Sequence, residues 1–516
     1  MMFKSFYSKL AVIGVFVFSS CICWGMENST DRWIVKFKNT SSVASKDLNT
    51  PCKLIRNLQQ ECDKNFEALS SRVNTEAVDK IWAANAIAIT ASSEKIKTIA
   101  KLENVEFVFP VQRRKYIIDD PNSKPVYIRS EAQWGVAKIR APEVWNKFKV
   151  DGSGIVVGQV DTGVDITHPL LAGKVIAFRD FTSNPKPGCY DDHGHGTHTA
   201  GTICGSGGVG VAPGARLISA KAFDKNGDST EESQMKAMQW MMDPDGNPQT
   251  NDFPRVVSNS WSRDTSSDGS DPIDMTYFEI VKNWVALGIL PVFSAGNSGP
   301  SGRIEVPANF LNTWTIGATQ DNDKLSDFSS RGPCKWITDT YIKPDVTAPG
   351  EEVVSCSIGG GLVSKSGTSM ACPHAAGLVA LMLQANPKIT ITEIRKIAED
   401  TSVDLGKKGK DNLYGAGRID AFACISKIAP QTPLENIVEG YKMALETEYA
   451  LCGKQVISPL AAPTASYIIE KTKSLDDGEF SSLNKLYDKD SLIKGILKQA
   501  EAVREFNVLH KDSAGL

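Results

Sequence analysis

The feature that most constrains the fold is an alternation of apolar runs and helical stretches between residues 134 and 428. Residues 155–160 form an apolar run, the pattern of a parallel strand covered on both faces. Helical periodicity falls between such runs, at residues 230–242 and 275–287. The alternation predicts a doubly wound, mostly parallel α/β sheet that binds ligands at the carboxyl ends of its strands. Further strands are predicted at residues 175–178, 217–223, 255–258 and 289–293.

Residues 1–27 have the pattern of a signal peptide. Lys4 and Lys9 precede an apolar segment at residues 10–18, which is too short to span a bilayer comfortably. This pattern predicts a secreted or otherwise extracytoplasmic protein. The residues before Cys21 loosely resemble a lipoprotein cleavage site, so lipid anchoring at Cys21 is an alternative. No later stretch is apolar enough to cross a membrane.

Two further regions flank the predicted sheet. Residues 28–115 alternate strand and helix patterns, which predicts a small α+β domain with one sheet. Residues 116–133 are charged, contain two prolines and lack a clear period, so we expect an exposed, cleavable linker. Residues 429–516 are mainly helical in pattern and predict an extension that packs on the preceding domain. A partner-binding role for this extension is the alternative.

Composition limits the partners and the redox chemistry. A formal net charge of -3 with mixed signs gives no electrostatic case for nucleic acid or an anionic membrane surface. The chain has 11 cysteines, and loss of Cys21 and Cys23 with the signal leaves nine. In an exported protein we expect one or two disulfides and at least one buried free thiol. The scattered cysteine spacings argue against a structural zinc site.

Three predicted strands end in polar turns. The first ends at Asp161, the last ends before Asn297, and residues 255–258 run into a turn that contains Ser260. The rule for parallel sheets places all three turns at one edge. For Asp161 alone, a turn or helix cap would be the ordinary interpretation.

A serine before an alanine-rich helix is the second candidate group. Ser369 lies in the stretch 366–374, Ser-Gly-Thr-Ser-Met-Ala-Cys-Pro-His, which leads into an apolar run. Pro373 is compatible with the first turns of a helix. This position exposes Ser369 to unpaired backbone N–H groups that can stabilise a developing negative charge. An N-cap serine is the simpler alternative.

Histidines cluster in a glycine-rich stretch. Three of the six histidines, His193, His195 and His198, lie between residues 191 and 201. The spacing of His195 and His198 also suits a metal site, although no His-Glu-x-x-His helix is present. Nucleophilic catalysis accounts for the aspartate, the histidines and the serine together, whereas a metal accounts only for the histidines.

These motifs resemble those of the subtilisin-like serine peptidases. Residues 161–163 (Asp-Thr-Gly), 195–198 (His-Gly-Thr-His) and 367–374 (Gly-Thr-Ser-Met-Ala-Cys-Pro-His) occur in the family's order of aspartate, histidine and serine. The resemblance implies a triad of Asp161, His195 and Ser369, with Asn297 as the oxyanion-hole side chain.

The resemblance also implies the substrate cleft, with residues near 227–229 as an edge that pairs with an extended peptide. The family has glycine where this chain has Ser262, which narrows the pocket, and we expect apolar P1 residues. Calcium often stabilises the family, but the sequence yields no ligand set, so we predict no metal residues and no required cofactor. The implied cleft residues are Ser260, Trp261, Ser262, Ser294, Ala295 and Gly296.

The sequence as a whole predicts a secreted serine endopeptidase that acts on proteins or peptides as a monomer. By resemblance, residues 28–115 are an inhibitory propeptide, and self-cleavage falls between residues 110 and 133. Two alternatives stay open. One is a catalytically silent peptide-binding module of the same fold, and the other is a processing peptidase with a narrow substrate range.

Overall fold

The structure is a computed structural model that describes most of the chain from residue 30 to residue 429 and parts of the C-terminal region. The predicted signal segment, with Cys21, lies outside the described residues. No helix in the described part of the chain is both long and apolar enough to cross a membrane. The described residues are 30–39, 50–74, 76–118, 120–126, 132–263, 275–336, 339–429, 472, 477–486, 494, 497–498 and 501.

The N-terminal part is a four-stranded antiparallel sheet covered by two helices. Its strand order is β2-β3-β1-β4. The first helix begins at Pro51, which suits the first helical turn, and its residues Leu54, Ile55 and Leu58 are buried. The elements are β1 (Thr30–Phe37), α1 (Pro51–Ser70), β2 (Glu76–Ile81), β3 (Ala86–Ser92), α2 (Ser93–Ile99) and β4 (Val105–Pro110).

Residues 116–133 were predicted to be an exposed, cleavable linker, and the structure contradicts the exposure of part of that segment. Strand β5 (Arg113–Lys115), just before it, pairs with β10 (Asp228–Thr230), and β6 (Lys124–Val126), within it, pairs with β18 (Leu362–Lys365). Tyr116 and Ile117 are only 6% and 2% exposed. Their apolar side chains gain burial against the larger domain, so the charges around them do not make the segment a free linker.

The larger part is the predicted α/β domain. Its seven-stranded sheet has the order β16-β13-β12-β11-β7-β9-β8, and all of its pairs are parallel. The chain enters at β7, fills one side of the sheet with β8 and β9, and then crosses to β11 on the other side. This reversal is the point at which doubly wound sheets place their ligand sites. The strands are β7 (Val156–Asp161), β8 (Val175–Asp180), β9 (Arg216–Lys221), β11 (Val256–Asn259), β12 (Leu290–Ser294), β13 (Trp314–Thr319) and β16 (Val346–Pro349).

Helices cover both faces of this sheet. The central helix α8 (Thr368–Ala385) is buried along almost its whole length and packs against the sheet and against α5 (His195–Cys204). Thr390 and Glu393 form a capping box at the start of α9 (Ile391–Thr401), in which the Thr390 side chain accepts from the Glu393 N–H and the Glu393 side chain accepts from the Thr390 N–H. The other described elements are α3 (Trp134–Lys138), α4 (Ala141–Phe148), α6 (Glu231–Trp240), α7 (Phe278–Leu287), β14 (Cys334–Trp336), β15 (Asp339–Tyr341), β17 (Val353–Cys356), α9 (Ile391–Thr401), α10 (Ala421–Ile428) and α11 (Asp477–Leu486).

The expected disulfides do not form among the described residues. All eight described cysteines are free, and most are buried. Burial raises the pKa of the Cys62, Cys204 and Cys424 thiols to about 12, so they behave as small apolar side chains. In the C-terminal region, Phe480 and Leu497 belong to the main buried cluster of the α/β domain.

Candidate active site

Three parallel strands bring polar residues to one edge of the central sheet. Strand β7 ends at Asp161, β11 ends at Asn259 before Ser260, and β12 ends at Ser294 before Ala295. Strand β11 pairs with both β7 and β12. The three carboxyl ends therefore lie side by side, in the arrangement that the strand rule predicts.

Asp161 and His195 form a buried pair at this edge. Asp161 Oδ1 lies 2.8 Å from His195 Nδ1. The carboxylate also accepts hydrogen bonds from the Thr162 N–H at 2.7 Å and from the Thr199 hydroxyl at 3.0 Å. Because an ionised carboxylate can only accept, His195 Nδ1 is the donor, and Nε2 is left for proton transfer.

Close packing of α5 on the turn after β7 fixes the relative position of Asp161 and His195. A Cβ atom at Gly196 would lie 2.1 Å from the carbonyl oxygen of Gly163, so only glycine permits this approach. The Gly196 N–H then donates to the Thr162 hydroxyl at 2.8 Å. The helix therefore holds its first residue, His195, against the end of β7.

Ser369 is the second residue of α8 and is half-buried. Its hydroxyl donates to the carbonyl of Ser260 at 3.1 Å, and the Ser260 hydroxyl donates to the carbonyl of Ser369 at 2.9 Å. The structure thus ties Ser369 to the end of β11, and its hydroxyl is hydrogen-bonded to Ser260 instead of His195. The backbone N–H of Ser369 lies in the first helical turn, where N–H groups have no intrahelical acceptor.

Asn297 is exposed beside the start of α8. Its Oδ1 accepts hydrogen bonds from the Thr368 N–H and from the Thr368 hydroxyl, both at 2.9 Å. The N–H donor identifies the bound atom as the amide oxygen. The amide Nδ2 donates to no residue in the described part of the chain, so it is available as a donor beside Ser369.

Glu305 supports Asn297 and was not predicted. Its Oε1 accepts from the Asn297 N–H at 3.1 Å and from the Ser298 hydroxyl at 2.8 Å, and its Oε2 accepts from the Ser262 hydroxyl at 2.5 Å. One buried carboxylate therefore joins the turn after β12 to the turn after β11. Gly296 packs directly on this carboxylate, where a Cβ atom would lie 2.3 Å from Glu305 Cδ.

Lys221 supports the turn that carries Asp161, and it was also not predicted. Its buried Nζ donates to the carbonyl oxygens of Thr162 at 2.5 Å and Phe223 at 2.9 Å, and to Asp192 Oδ1 at 2.7 Å. A buried ammonium that meets three acceptors holds the turn rigidly. The signal that could have identified it is a lysine inside the otherwise uncharged predicted strand at residues 217–223.

The other reactive side chains near this edge are buried and neutral. His198 Nε2 bonds to the carbonyls of Val353 and Val363, and burial lowers the pKa of His198 to about 3. Burial likewise lowers the pKa of His374 to about 4 and raises that of the Cys372 thiol to about 11. His195 and His198 therefore bond to different partners and do not converge on a shared ion, and Cys372 is not a competing nucleophile.

The residues expected to line the cleft lie at two strand ends. Ser260, Trp261 and Ser262 follow β11, and Ala295 and Gly296 follow Ser294 at the end of β12. The Trp261 indole faces an aromatic cluster that also contains Tyr116, Phe223, Tyr277 and Phe293, with ring centroids 5.4 to 6.4 Å from it. Its indole therefore packs in the core beside the cleft.

The segment after the N-terminal sheet contacts this edge on two sides. The N–H groups of Tyr116 and Ile117 donate to the Gly227 carbonyl at 3.0 and 3.2 Å. Further along, the Ser366 N–H donates to Asp120 Oδ2 at 2.6 Å. The chain thus passes from the β10 edge to the turn just before Ser369.

Comparison with known proteins identifies the family. The model of the subtilase family, peptidase S8, matches residues 152–417, which include Asp161, His195, Asn297 and Ser369. The chain is 33% identical to bacillopeptidase F of Bacillus subtilis (strain 168) over 408 residues, 72% of this chain but only 28% of that protein. It is 27% identical to M-protease of Shouchella clausii (strain KSM-K16) over 410 residues, 79% of this chain and 94% of that protein.

Subtilisin Savinase of Lederbergia lenta is 34% identical over 294 residues, which are 56% of this chain and 97% of that protein. The chain belongs to the subtilase family of serine endopeptidases.

Proposed function

We propose that this chain is an exported endopeptidase, made as a self-processing precursor, that hydrolyses peptide bonds through Asp161, His195 and Ser369. The observation that carries the proposal is the 2.8 Å bond between Asp161 and His195 at the sheet edge where Ser369 heads α8. Its substrates are proteins or peptides, as the family implies. A monomer suffices for this chemistry, because all three side chains come from one chain.

Ser369 acts as the nucleophile. Its hydroxyl exchanges the Ser260 carbonyl for His195 Nε2, which accepts the proton as the oxygen attacks the substrate carbonyl. Asp161 keeps the imidazole in the required tautomer and stabilises the imidazolium that forms. His195 then returns the proton to the leaving amine, and water hydrolyses the acyl-enzyme by the same steps in reverse.

Asn297 Nδ2 and the Ser369 N–H are the donors for the tetrahedral oxyanion. Thr368 holds the amide oxygen of Asn297 with two hydrogen bonds, so the amide nitrogen is directed without any reorganisation during the reaction. The Glu305 carboxylate accepts the hydrogen bond of the Asn297 N–H and so fixes the backbone at Asn297. Glu305 is thus a positioning residue, since its contacts are with the turn and with Ser262.

The contacts of Glu305 also bear on which P1 side chains the cleft prefers. The Glu305 carboxylate accepts three hydrogen bonds from residues of the cleft walls, so its charge is directed into the protein. The cleft accordingly prefers apolar P1 side chains. Backbone pairing along β10 accepts an extended substrate as an added strand, which gives broad specificity at the other positions.

The N-terminal sheet is the inhibitory propeptide, and it docks on helices α6 and α7. Arg32 pairs with Glu232 at 2.7 Å, the Ala83 N–H donates to Gln239 Oε1 at 3.0 Å, and Asn283 Nδ2 donates to the Ala83 carbonyl at 2.8 Å. Because β-rich folds with non-local pairing fold slowly, a covalently attached folding aid that is later removed suits this domain.

The self-cleavage bond lies between Ile117 and Asp120. Residues up to Ile117 are held by Gly227, and Asp120 is held by the Ser366 N–H, three residues before the nucleophile. We assign the cut to the bonds between these two anchors, because Asp120 is held by the turn that leads into Ser369. The proposed cleavage position is therefore confined to residues 117–120, within the range 110–133 that the sequence alone allows.

The N-terminus of the purified mature protein tests the proposal. Mass spectrometry should find a new terminus at residue 118, 119 or 120 in the natural chain and an uncut precursor in Ser369→Ala. The same new terminus in Ser369→Ala would assign the cut to another protease. An uncut natural chain that also fails to hydrolyse a mixture of proteins would favour the silent module. Hydrolysis of only a few proteins in that mixture would favour a narrow processing peptidase.

A further inference from the structure

The loop between α6 and β11 carries three aspartates that converge on one point. Asp243, Asp245 and Asp252 each place a carboxylate oxygen within 4.8 Å of the other two. Two oxygens that are each about 2.4 Å from one calcium ion are at most about 4.8 Å apart. The spacing therefore fits one ion held between the three side chains.

Two of these carboxylates have buried oxygens that lack a partner. Asp243 and Asp252 are 7% and 1% exposed, and the Oδ1 atom of each is buried without a hydrogen-bond partner in the described part of the chain. A buried carboxylate oxygen without a donor is costly, and native structures supply such atoms with hydrogen bonds, waters or metal ions. These two oxygen atoms are therefore available as cation ligands. This observation does not depend on the number of acidic residues in the loop.

The local charge is also uncompensated. No lysine or arginine in the described part of the chain forms an ion pair with these three aspartates, which lie within ten consecutive residues of loop, 243–252. A divalent cation would remove the repulsion and occupy the unpartnered oxygens.

The loop already holds its carboxylates in place. Asp245 Oδ1 accepts from the Asn247 N–H at 2.7 Å, and both of its oxygens accept from the Thr250 hydroxyl at 3.0 and 2.9 Å. Asp252 Oδ2 accepts from the Asp245 N–H at 2.7 Å, and Trp240 Nε1 donates to the Pro244 carbonyl at 2.9 Å. The three side chains are therefore arranged before an ion binds.

We propose that Asp243, Asp245 and Asp252 bind one calcium ion that fixes the loop leading into β11. The ligands are all hard oxygen donors, which favour calcium or magnesium over zinc or copper, and three protein carboxylates around one ion suit calcium better than magnesium, which keeps several waters. Strand β11 ends at the cleft, directly before Ser260. Calcium at this loop thus stabilises the strand that holds the Ser369 hydroxyl, although no ligand takes part in the reaction.

Terbium luminescence tests the site directly in the full-length Ser369→Ala chain, which cannot digest itself. The Trp240 indole lies beside the loop and should sensitise emission from bound Tb³⁺, and calcium should displace the ion. We expect Asp252→Asn and Asp245→Asn each to lower this emission at least about tenfold, since each removes one of three charged ligands. The matched control Asp321→Asn, at an exposed aspartate of another turn, should leave it unchanged.

Thermal unfolding of the same variants gives a second measurement. Millimolar calcium should raise the unfolding midpoint of the parent by about 3–5 °C over a chelator, with a smaller effect from magnesium. Asp245→Asn, at the exposed ligand, should fold normally and lose this calcium-dependent rise. Equal terbium emission and an equal calcium-dependent rise in the parent, Asp245→Asn, Asp252→Asn and Asp321→Asn would overturn the proposal.

Discussion

The catalytic edge and the surface that holds the N-terminal sheet are stabilised in opposite ways. At the edge, Asp161 and Glu305 are buried and each accepts several hydrogen bonds from neighbouring turns. At the docking surface, Arg32 and Glu232 form an ion pair whose side chains are 24% and 14% exposed, and Asp79 beside them is 44% exposed. The carboxylates of the edge are shielded from water, whereas water and salt can reach the ion pairs of the docking surface.

This difference suits the proposed precursor. In that proposal the catalytic geometry has to survive self-cleavage, and the N-terminal sheet has to leave afterwards. Removing one hydrogen-bond partner of a buried carboxylate costs the folded protein much stability. Removing one partner of a partly exposed ion pair costs it little. The predictions below test the two regions, from the largest expected effect to the smallest.

The largest effect is expected from Asn297→Ala. It removes one of the two oxyanion donors, and kcat should fall about 10²- to 10³-fold, the loss known for such a donor in this family, with little change in KM. Steady-state kinetics on a peptide ester and a peptide amide would measure it. Asn322→Ala, in an exposed turn, is the matched control, and equal kinetics in both variants would remove Asn297 from the oxyanion hole.

The buried edge should also respond to acid. The pKa of His198 is lowered to about 3 by burial, so between pH 6.5 and 3 the unfolded chain binds a proton that the folded chain does not. Stability should therefore fall as the pH falls through this window, by a few kcal/mol in total. In His198→Gln, urea unfolding at pH 7 and pH 4 should show a smaller difference than in the parent. An unchanged difference would mean that His198 titrates normally.

Glu305→Gln should have an intermediate effect. The amide keeps the shape but loses the charge and places an NH2 group against existing donors, so we expect kcat to fall about tenfold. The P1 profile in a peptide library should stay apolar in both proteins. A natural profile dominated by lysine or arginine, lost in Glu305→Gln, would show that the carboxylate faces the substrate instead.

The smallest effect is expected at the docking surface. Arg32→Gln removes an ion pair worth about 1–2 kcal/mol, so the lag before activity appears after self-cleavage should shorten several-fold. Raising the salt concentration from 50 to 500 mM should shorten the lag of the natural chain in the same direction. The exposed Lys101→Gln serves as the control, and a lag insensitive to both Arg32→Gln and salt would contradict the comparison.

Local sequence patterns predicted the sheet edge at which the candidate site lies. They did not predict contacts between residues that are far apart in the chain. Asp161 and Ser260 follow apolar strands, so the rule for parallel sheets predicts their edge without a structure. Glu305 has no such pattern, because its partners at Ser262 and Asn297 come from other turns. Strands β5 and β6 were missed for the same reason, since each is only three residues long and pairs with a strand more than a hundred residues away.

The expected disulfides show a different limit. The cysteine count and the signal segment predict pairing, yet the described cysteines lie free, most of them at buried positions of strands and helices. Burial in an apolar core is itself an ordinary role for cysteine. Count and compartment alone cannot distinguish these two roles.

The most direct test of the central claim is covalent labelling by a serine-directed fluorophosphonate, followed by peptide mass spectrometry. The account predicts that the label is found on Ser369 of the mature protein, and that His195→Ala labels at least about a hundredfold more slowly because the base is absent. Labelling of another residue, or equal labelling in His195→Ala, would contradict a nucleophile activated by the Asp161–His195 pair.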